Sequence, residues 1–334
     1  MRTRLRAALL SFGAVLMLAA ADTPPPTVEY RGLCNASASV AIDGGLFLVA
    51  DDEDAPTTSL RVYREGDPVG PVDVLDLSND DLELDPSESL EVDLEGSARI
   101  GDRVYWIGSH SASKNAKSRP NRRRLFATKV TADDGHVRVR VVGEPYKDLI
   151  KDLDDDSDYH QFDLKAAAKR APKEAGALSI EGLAGTPEGD LLIGFRNPVP
   201  GGKALIARLK NPKAVTEGKP AKFGPPSQLD LGGLGIRSLE WSESLEAYLI
   251  VGGLPGEGGC SRLFRWSGVS EAVPEAVPGV DLAGMNPEAL FVEGRTATLL
   301  SDDGHRLLDG QERDCAAPGV QKSFRGIRVS LPSR

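Results

Sequence analysis

Three glutamates, Glu95, Glu181 and Glu288, stand at matching places in three internally similar segments of the chain. Polar pairs stand at a second matching place: Asp51-Asp52, Arg196-Asn197 and Asp302-Asp303. Gathered together, such groups are the oxygen donors that a hard divalent cation takes; calcium accepts roughly six to eight of them. Glu95, Glu181, Glu288 and Asp302 are therefore the candidate metal ligands, with calcium the candidate ion. A cation held there would polarise an ester and activate water, with His110 as candidate catalytic proton carrier. Arginines are interspersed. Arg237 stands where a fourth repeat would carry its acid, and the run KNAKSRPNRRR ends in Arg122, Arg123 and Arg124. Guanidinium forks match phosphate and carboxylate groups. Asp51, Asp52, Arg122, Arg123, Arg124, Arg196, Asn197, Arg237 and Asp303 are thus the candidate ligand-binding residues. The ligand expected is a small anion, such as a phosphorylated or other anionic ester. The same face without turnover would serve a non-catalytic propeller that binds a ligand or a protein partner.

Other chemistries find less support. Histidines and cysteines are scattered, which argues against zinc or copper. The sequence contains neither a GxSxG nucleophile elbow nor a phosphate loop of the Walker type. DLDDDSDYHQFD, starting at Asp152, spaces its acids like a calcium-binding hand. It lacks the glycine at its sixth position and the closing glutamate, and reads as a solvated acidic loop.

These residues need elements that bring them together. Five segments repeat one pattern: small residues, a short apolar strand, a turn, then a strongly apolar strand ending in polar residues. They are ASASVAIDGGLFLVADDED, LEGSARIGDRVYWIGSHS, IEGLAGTPEGDLLIGFRNP, IRSLEWSESLEAYLIVGG and PEALFVEGRTATLLSDDG. Each contains a hairpin with turn formers at its tip. Third strands follow at LRVYR, LFATKV, LIARL and LFRW, and VRVRVV alternates as an outer strand should. Repeated antiparallel units of this kind predict an all-β fold, a β-propeller of five blades, with six as the alternative. Residues 146–170 contain KDLIKDL and LKAAAKR and predict a short helical insertion. FRGIRVSL near the C-terminus completes the last blade, and Val28-Glu29-Tyr30 pairs near it to close the ring. In a propeller the first strand of each blade starts on the face where the second ends. The polar residues of all the repeats therefore converge on one mouth of the central channel.

Composition sets the surroundings. Arg2, Arg4 and Arg6 precede AALLSFGAVLMLAAA, a basic start and apolar core that predict a signal peptide over 1–21 and export to the periplasm or beyond. Residues 22–334 then form one propeller domain. No later stretch is apolar enough to span a membrane, so no membrane association is expected after the leader is removed. The formal charge of −10 argues against nucleic acid as a partner. Export permits a disulfide among Cys34, Cys260 and Cys315. Cys260 with Cys315 is the preferred pair, and Cys34 with Cys315, across the ring closure, the alternative.

The strings GLCNASASVAIDGGLFLVADDED, DLEGSARIGDRVYWIGSHS, RPNRRRLFAT, IEGLAGTPEGDLLIGFRNPVPGGKALI, LDLGGLGIRSLEW and NPEALFV with LLSDDG resemble a bacterial propeller family known only as a domain of unknown function. The resemblance covers nearly all of the chain after residue 21, and implies a fold and a layout without an activity. More distantly, an acid followed by glycine and an apolar strand is similar to phytase-like esterase domains and calcium-dependent lactonase propellers. Arg237 departs from that pattern, which leaves the carboxylate ring incomplete.

Overall fold

The computed structural model describes residues 27–331, apart from 54, 134–135, 257, 259, 309–310, 313–314, 316 and 318. The leader expected over 1–21 lies outside the described residues. A single strand, β1 (Thr27–Arg31), precedes the repeats. Blade 1 is β2 (Ala38–Ile42), β3 (Leu46–Ala50), β4 (Thr58–Arg64) and β5 (Asp73–Leu77). Blade 2 is β6 (Leu94–Ile100), β7 (Arg103–Gly108), β8 (Leu125–Asp133) and β9 (His136–Tyr146). Blade 3 is β10 (Ser179–Gly185), β11 (Leu191–Asn197), β12 (Ala204–Leu209) and β13 (Phe223–Leu229). Blade 4 is β14 (Gly235–Ser242), β15 (Ala247–Gly253), β16 (Arg262–Trp266) and β17 (Glu275–Ala276). Blade 5 begins with β18 (Pro287–Glu293) and β19 (Thr296–Ser301). A short ribbon, β20 (Leu307–Leu308) with β21 (Gln311–Glu312), then leads to β22 (Ser323–Ser330). Each blade is a four-stranded antiparallel sheet, and five make the ring.

The strand order follows from burial. The second strand of a blade has neighbouring blades on both faces, so it must be apolar throughout. β3 (LFLVA), β11 and β15 are buried at every residue. Outer strands see solvent on one side and alternate: in β9 Val137 is buried between exposed His136 and Arg138. Apolar side chains gather into five clusters, one for each pair of adjoining blades.

Closure is the step that removes the exposed edges of an open array. β1 supplies the outermost strand of blade 5, pairing with β22 so that Tyr30 lies opposite Phe324 and Arg31 opposite Ser323. Aromatic residues concentrate at this seam: Tyr30, Phe47, Tyr63, Phe291 and Phe324 pack with ring centroids 5.0–5.7 Å apart. A disulfide between Cys34 and Cys315 lies at the same junction. This corrects the preferred pairing of Cys260 with Cys315, because Cys260 is exposed with a free thiol. Cys34 is held against blade 5, where its carbonyl accepts from Asp303 N–H at 2.9 Å.

The insertion between blades 2 and 3 forms two short helices, α1 (Leu149–Asp155) and α2 (Leu164–Ala167), where the sequence predicts helix across the segment. The acidic stretch between them turns instead, and β9 runs on to Tyr146. Leu149, Leu153, Tyr159 and Leu164 bury into the seam between blades 2 and 3. The Tyr159 hydroxyl donates to Gly224 O at 2.7 Å. Asp152 accepts from the Tyr146 hydroxyl, and Asp154 and Asp155 pair with Lys165. A third short helix, α3 (Pro212–Val215), links β12 to β13. No helix among the described residues is long and apolar enough to cross a membrane.

Candidate cation site at the channel mouth

One backbone irregularity recurs in four blades and positions the charged residues. Each innermost strand slips register near its start: between Leu94 and Gly96, Ile180 and Gly182, Ile236 and Ser238, and Pro287 and Ala289. The residue left over at these bulges is Glu95, Glu181, Arg237 or Glu288. A bulge leaves its extra residue outside the ladder and re-aims the side chain. The repeated glutamate is thus a repeated bulge. Glycine follows two of the glutamates for a packing reason. A Cβ on Gly182 would lie 2.7 Å from Ile236 Cγ2, and one on Gly96 2.9 Å from Leu183 Cβ. In blade 1 the place is taken by Ser37, whose hydroxyl bonds Leu94 O of blade 2 at 2.6 Å. That sector gains its acid from Asp52, just past the end of β3.

The mouth is divided into two electrostatic halves. In blades 3 to 5 the carboxylates are matched by arginine. Arg196 Nη1 lies 2.6 Å from Glu181 Oε1, and the rest of its fork donates to Leu254 O and Gly256 O. Arg237 pairs with Glu288 and stands 3.7 Å from Glu181 Oε2. Asn286 Nδ2 reaches Glu288 at 3.0 Å and Asp302 at 3.2 Å. In blades 1 and 2 the carboxylates outnumber the arginines. Oxygens of Asp52, Asp93 and Glu95 all lie within 4.8 Å of one another. Calcium holds its ligands at about 2.3–2.6 Å, so opposite ligands are about 4.6–5.2 Å apart. The three carboxylates are already spaced for a shared cation. Glu95 is 8 % exposed, and its carboxylate has no hydrogen-bond partner among the described residues. Asp52 Oδ1 is likewise buried and unpartnered. Asp93 is tied down by Ser109 and by Arg122 Nη1 at 2.9 Å, and Arg122 also grips Glu91.

Burial and crowding raise the proton affinity of these acids. Glu95 is pushed well above the usual range by burial, then by Glu181, Asp93 and Asp52. Asp52 is raised in the same way by burial, then by Asp302 and Glu288. Burial brings Asp93 up to about 6 against the opposing pull of Arg122 and Ser109. Glu288 reaches about 8 through burial, with Arg237 pulling it down. Asp302 is raised by burial, and the bond from Gly304 N–H opposes this. Without a cation, Glu288 holds its proton near neutrality, and the neighbouring acids are shifted in the same direction.

The structure sorts the sequence-predicted site residues. Glu95, Glu181, Glu288, Arg237, Asp52 and Asp302 share the mouth. Asp51 flanks it, its Oδ1 accepting from Glu53 N–H. Arg122 joins the cluster through Asp93. Arg124 is buried, and its donors go to the carbonyls of Leu82, Glu83, Pro120 and Arg123 and to Asn121 Oδ1, so it staples the loop. Arg123 lies outside, donating to Ser118 Oγ at 3.3 Å. Asn197 is 1 % exposed and donates to Pro172 O and Glu174 O. Asp303 is committed to Arg325, which it meets at 2.6 and 2.8 Å. His110 is 1 % exposed, with Nδ1 against Gly108 O and Nε2 buried without a partner. Burial pushes its imidazole down to about 4, so it is neutral at physiological pH. Asp93 was not among the predicted residues. It is legible as the acid two places before Glu95, and its left-handed backbone (φ 57°) is one that aspartate tolerates.

Fold and site together define a five-bladed β-propeller with a carboxylate cluster at one mouth of its channel. Residues 35–132 and 129–285 match the family described as Protein of unknown function (DUF3616), and the chain belongs to that family. No curated protein matches. Among solved structures, the chain is similar to the PQQ-bound aldose sugar dehydrogenase of Streptomyces coelicolor, at 12 % identity and TM-score 0.42 over 91 % of this chain and 100 % of that one. It is similar also to a gluconolactonase of Xanthomonas campestris, at 12 % and 0.38 over 93 % and 86 %. A GH43 endo-arabinanase of Bacillus licheniformis matches at 9 % and 0.42 over 91 % and 99 %. At these identities the likeness is one of fold.

Proposed function

We propose that this is an exported propeller whose channel mouth holds a divalent cation, calcium, and through it an oxygen-bearing ligand. The observation that carries the reading is the Asp52–Asp93–Glu95 cluster, with oxygens within 4.8 Å and Asp52 Oδ1 buried without a partner. Two or three carboxylates with space for further oxygens are the donor set of a hard cation. Bound there, the ion would polarise an ester carbonyl or phosphoryl oxygen and lower the pKa of a water. Asp52, Asp93 and Glu95 would hold it, with Asp302 and Glu288 nearest to extend the set. Arg122 fixes Asp93 in place. Arg196 and Arg237 pair with Glu181 and Glu288, which makes these acids the weaker candidates for ligands, although Glu181 Oε2 is buried without a hydrogen-bond partner.

Metal-dependent hydrolysis of an ester is the activity this arrangement would support. A second reading, ligand binding without turnover, is favoured by one observation: His110 is sealed at 1 % exposure and neutral.

Calorimetric titration of the purified protein with calcium tests the proposal. Wild type should bind with a single saturable isotherm and Glu95→Gln at least about tenfold more weakly, the loss of one charged ligand contact. Equal affinity in the two proteins would remove the cluster as the site. Turnover of phosphate esters and lactones by the calcium-loaded protein separates the hydrolase from the binding propeller.

A further inference from the structure

The loop between β7 and β8 has two sides. Its inward cations are used up: Arg122 by Asp93 and Glu91, Arg124 by backbone carbonyls. Its other cations are not. Lys114, Lys117, Arg119 and Arg123 occupy ten consecutive positions, and none pairs with a carboxylate among the described residues. On a chain with 50 acidic and 40 basic residues this is an unusual concentration of unmatched positive charge. Arg119 Nε is buried and has no hydrogen-bond partner.

The loop is also pre-shaped. Ser113 N–H donates to Lys117 O at 2.8 Å, and Ser113 Oγ accepts from the N–H groups of Asn115 and Lys117. Ala116 takes a left-handed backbone in this turn. Arg122 N–H bonds Arg119 O, and Asn121 ties the base of the loop to Asp85 and Ser89. A bound anion would supply the counter-charge that these four residues lack. At physiological salt, charges act over about 8 Å, so only acids packed close to the loop bear on the patch. They do disfavour weak anions. The patch suits a group with more than one negative charge and several acceptor oxygens, to which lysine offers a point charge and arginine a fork.

We propose that Lys114, Lys117, Arg119 and Arg123 form a phosphate-binding site beside the channel mouth. The ligand class is a phosphate monoester or pyrophosphate group. This locates the anion on the outer side of the loop, away from the arginines already engaged by the scaffold. The site stands apart from the cation reading and would exist without it.

Titration of the purified protein with inorganic pyrophosphate in metal-free, low-salt buffer tests this. Wild type and Glu95→Gln should bind alike. Lys114→Gln/Lys117→Gln should bind roughly tenfold or more weakly, since one charge-assisted contact is worth about that factor. Both lysines are exposed, so the double variant should melt with wild type; adding Arg119→Gln and Arg123→Gln should remove the remaining binding. A parallel arm uses phosphatidylcholine vesicles with and without phosphatidylglycerol. Lysine-dependent binding to the anionic vesicles would assign the phosphate to a lipid headgroup, and binding to pyrophosphate alone to a soluble ligand. Absence of saturable binding in both arms, or binding that the lysine substitutions leave unchanged, overturns the proposal.

Discussion

Raising the pH from about 6.5 to about 8 should destabilise the cation-free protein, and calcium should cancel most of that loss. The sign follows from where the protons sit. Glu288 has a folded pKa of about 8, and Glu95 and Asp52 are raised well above their ordinary values, while in the unfolded chain all three ionise near pH 4. In this window the folded state holds more protons than the unfolded state, so stability falls as pH rises. His110 works the other way: its folded pKa is about 4, and in the unfolded chain it is still half protonated at about pH 6.5, so it offsets about 0.4 kcal/mol of the fall before its contribution is complete near about pH 7.5. The acids outweigh it across the window. Each group that keeps its proton only in the folded state costs about 1.4 kcal/mol per pH unit, or about 2 kcal/mol across the window. A propeller of about 300 residues has an unfolding entropy of about 0.6 kcal/mol/K, so each such group lowers Tm by about 3 °C. Glu240 of β14 adds to the fall, since burial raises it to about 8. Glu240→Gln removes that part and leaves the part belonging to the mouth. Calorimetric scans at three pH values, in chelator and in calcium, give the measurement. Bound calcium replaces the protons and should flatten the profile, with proton uptake or release visible as a buffer-dependent binding enthalpy. A Tm that is flat or rising across the window in chelator would refute the charge reasoning, and an unchanged slope in calcium would refute the site.

Two further outcomes test the scaffold. Cys34→Ser should lower stability by about 2–5 kcal/mol by freeing a link across 281 residues, whereas Cys260→Ser should leave the melting curve in place. Gly182→Ala should cost roughly 1–3 kcal/mol, because its Cβ would meet Ile236 Cγ2 at 2.7 Å; urea unfolding with an unchanged slope would read this directly.

The repeats were readable because one physical device recurs. A bulge near the start of the inner strand needs a residue that leaves the ladder, and Glu95, Glu181, Arg237 and Glu288 mark it in sequence. Closure was readable for the same kind of reason: a lone β-forming segment at Val28 and another at FRGIRVSL each need an edge. What remained hidden depended on reach across the fold. Arg196 and Asn197 are neighbours in sequence, yet one turns to Glu181 and the other to the carbonyls of Pro172 and Glu174. Arg122 and Arg124 look alike in a run of arginines, and only the folded loop sends one to carboxylates and the other to backbone. The disulfide depended on how far the loop before β22 returns toward Cys34, which no spacing encodes. Asp93 escaped because it does not repeat; it belongs to blade 2 alone.

That lack of repetition explains why the mouth is lopsided. A ring of five identical acids would repel itself, and each blade answers differently. Blade 4 places Arg237 at its bulge, so that one guanidinium meets Glu288 and faces Glu181. Blade 3 brings Arg196 to Glu181 from the end of its second strand. Blade 1 withdraws its bulge position to Ser37 and sends Asp52 instead. Blade 2 adds acid, setting Asp93 beside Glu95 with a single arginine, Arg122, between Asp93 and Glu91. Removing one partner from a buried pair typically costs about 3–5 kcal/mol, so the paired half is fixed as framework. The unpaired half gathers acids that no arginine matches and whose proton affinity is raised by burial and crowding, and a cation is the simplest species that would replace those protons.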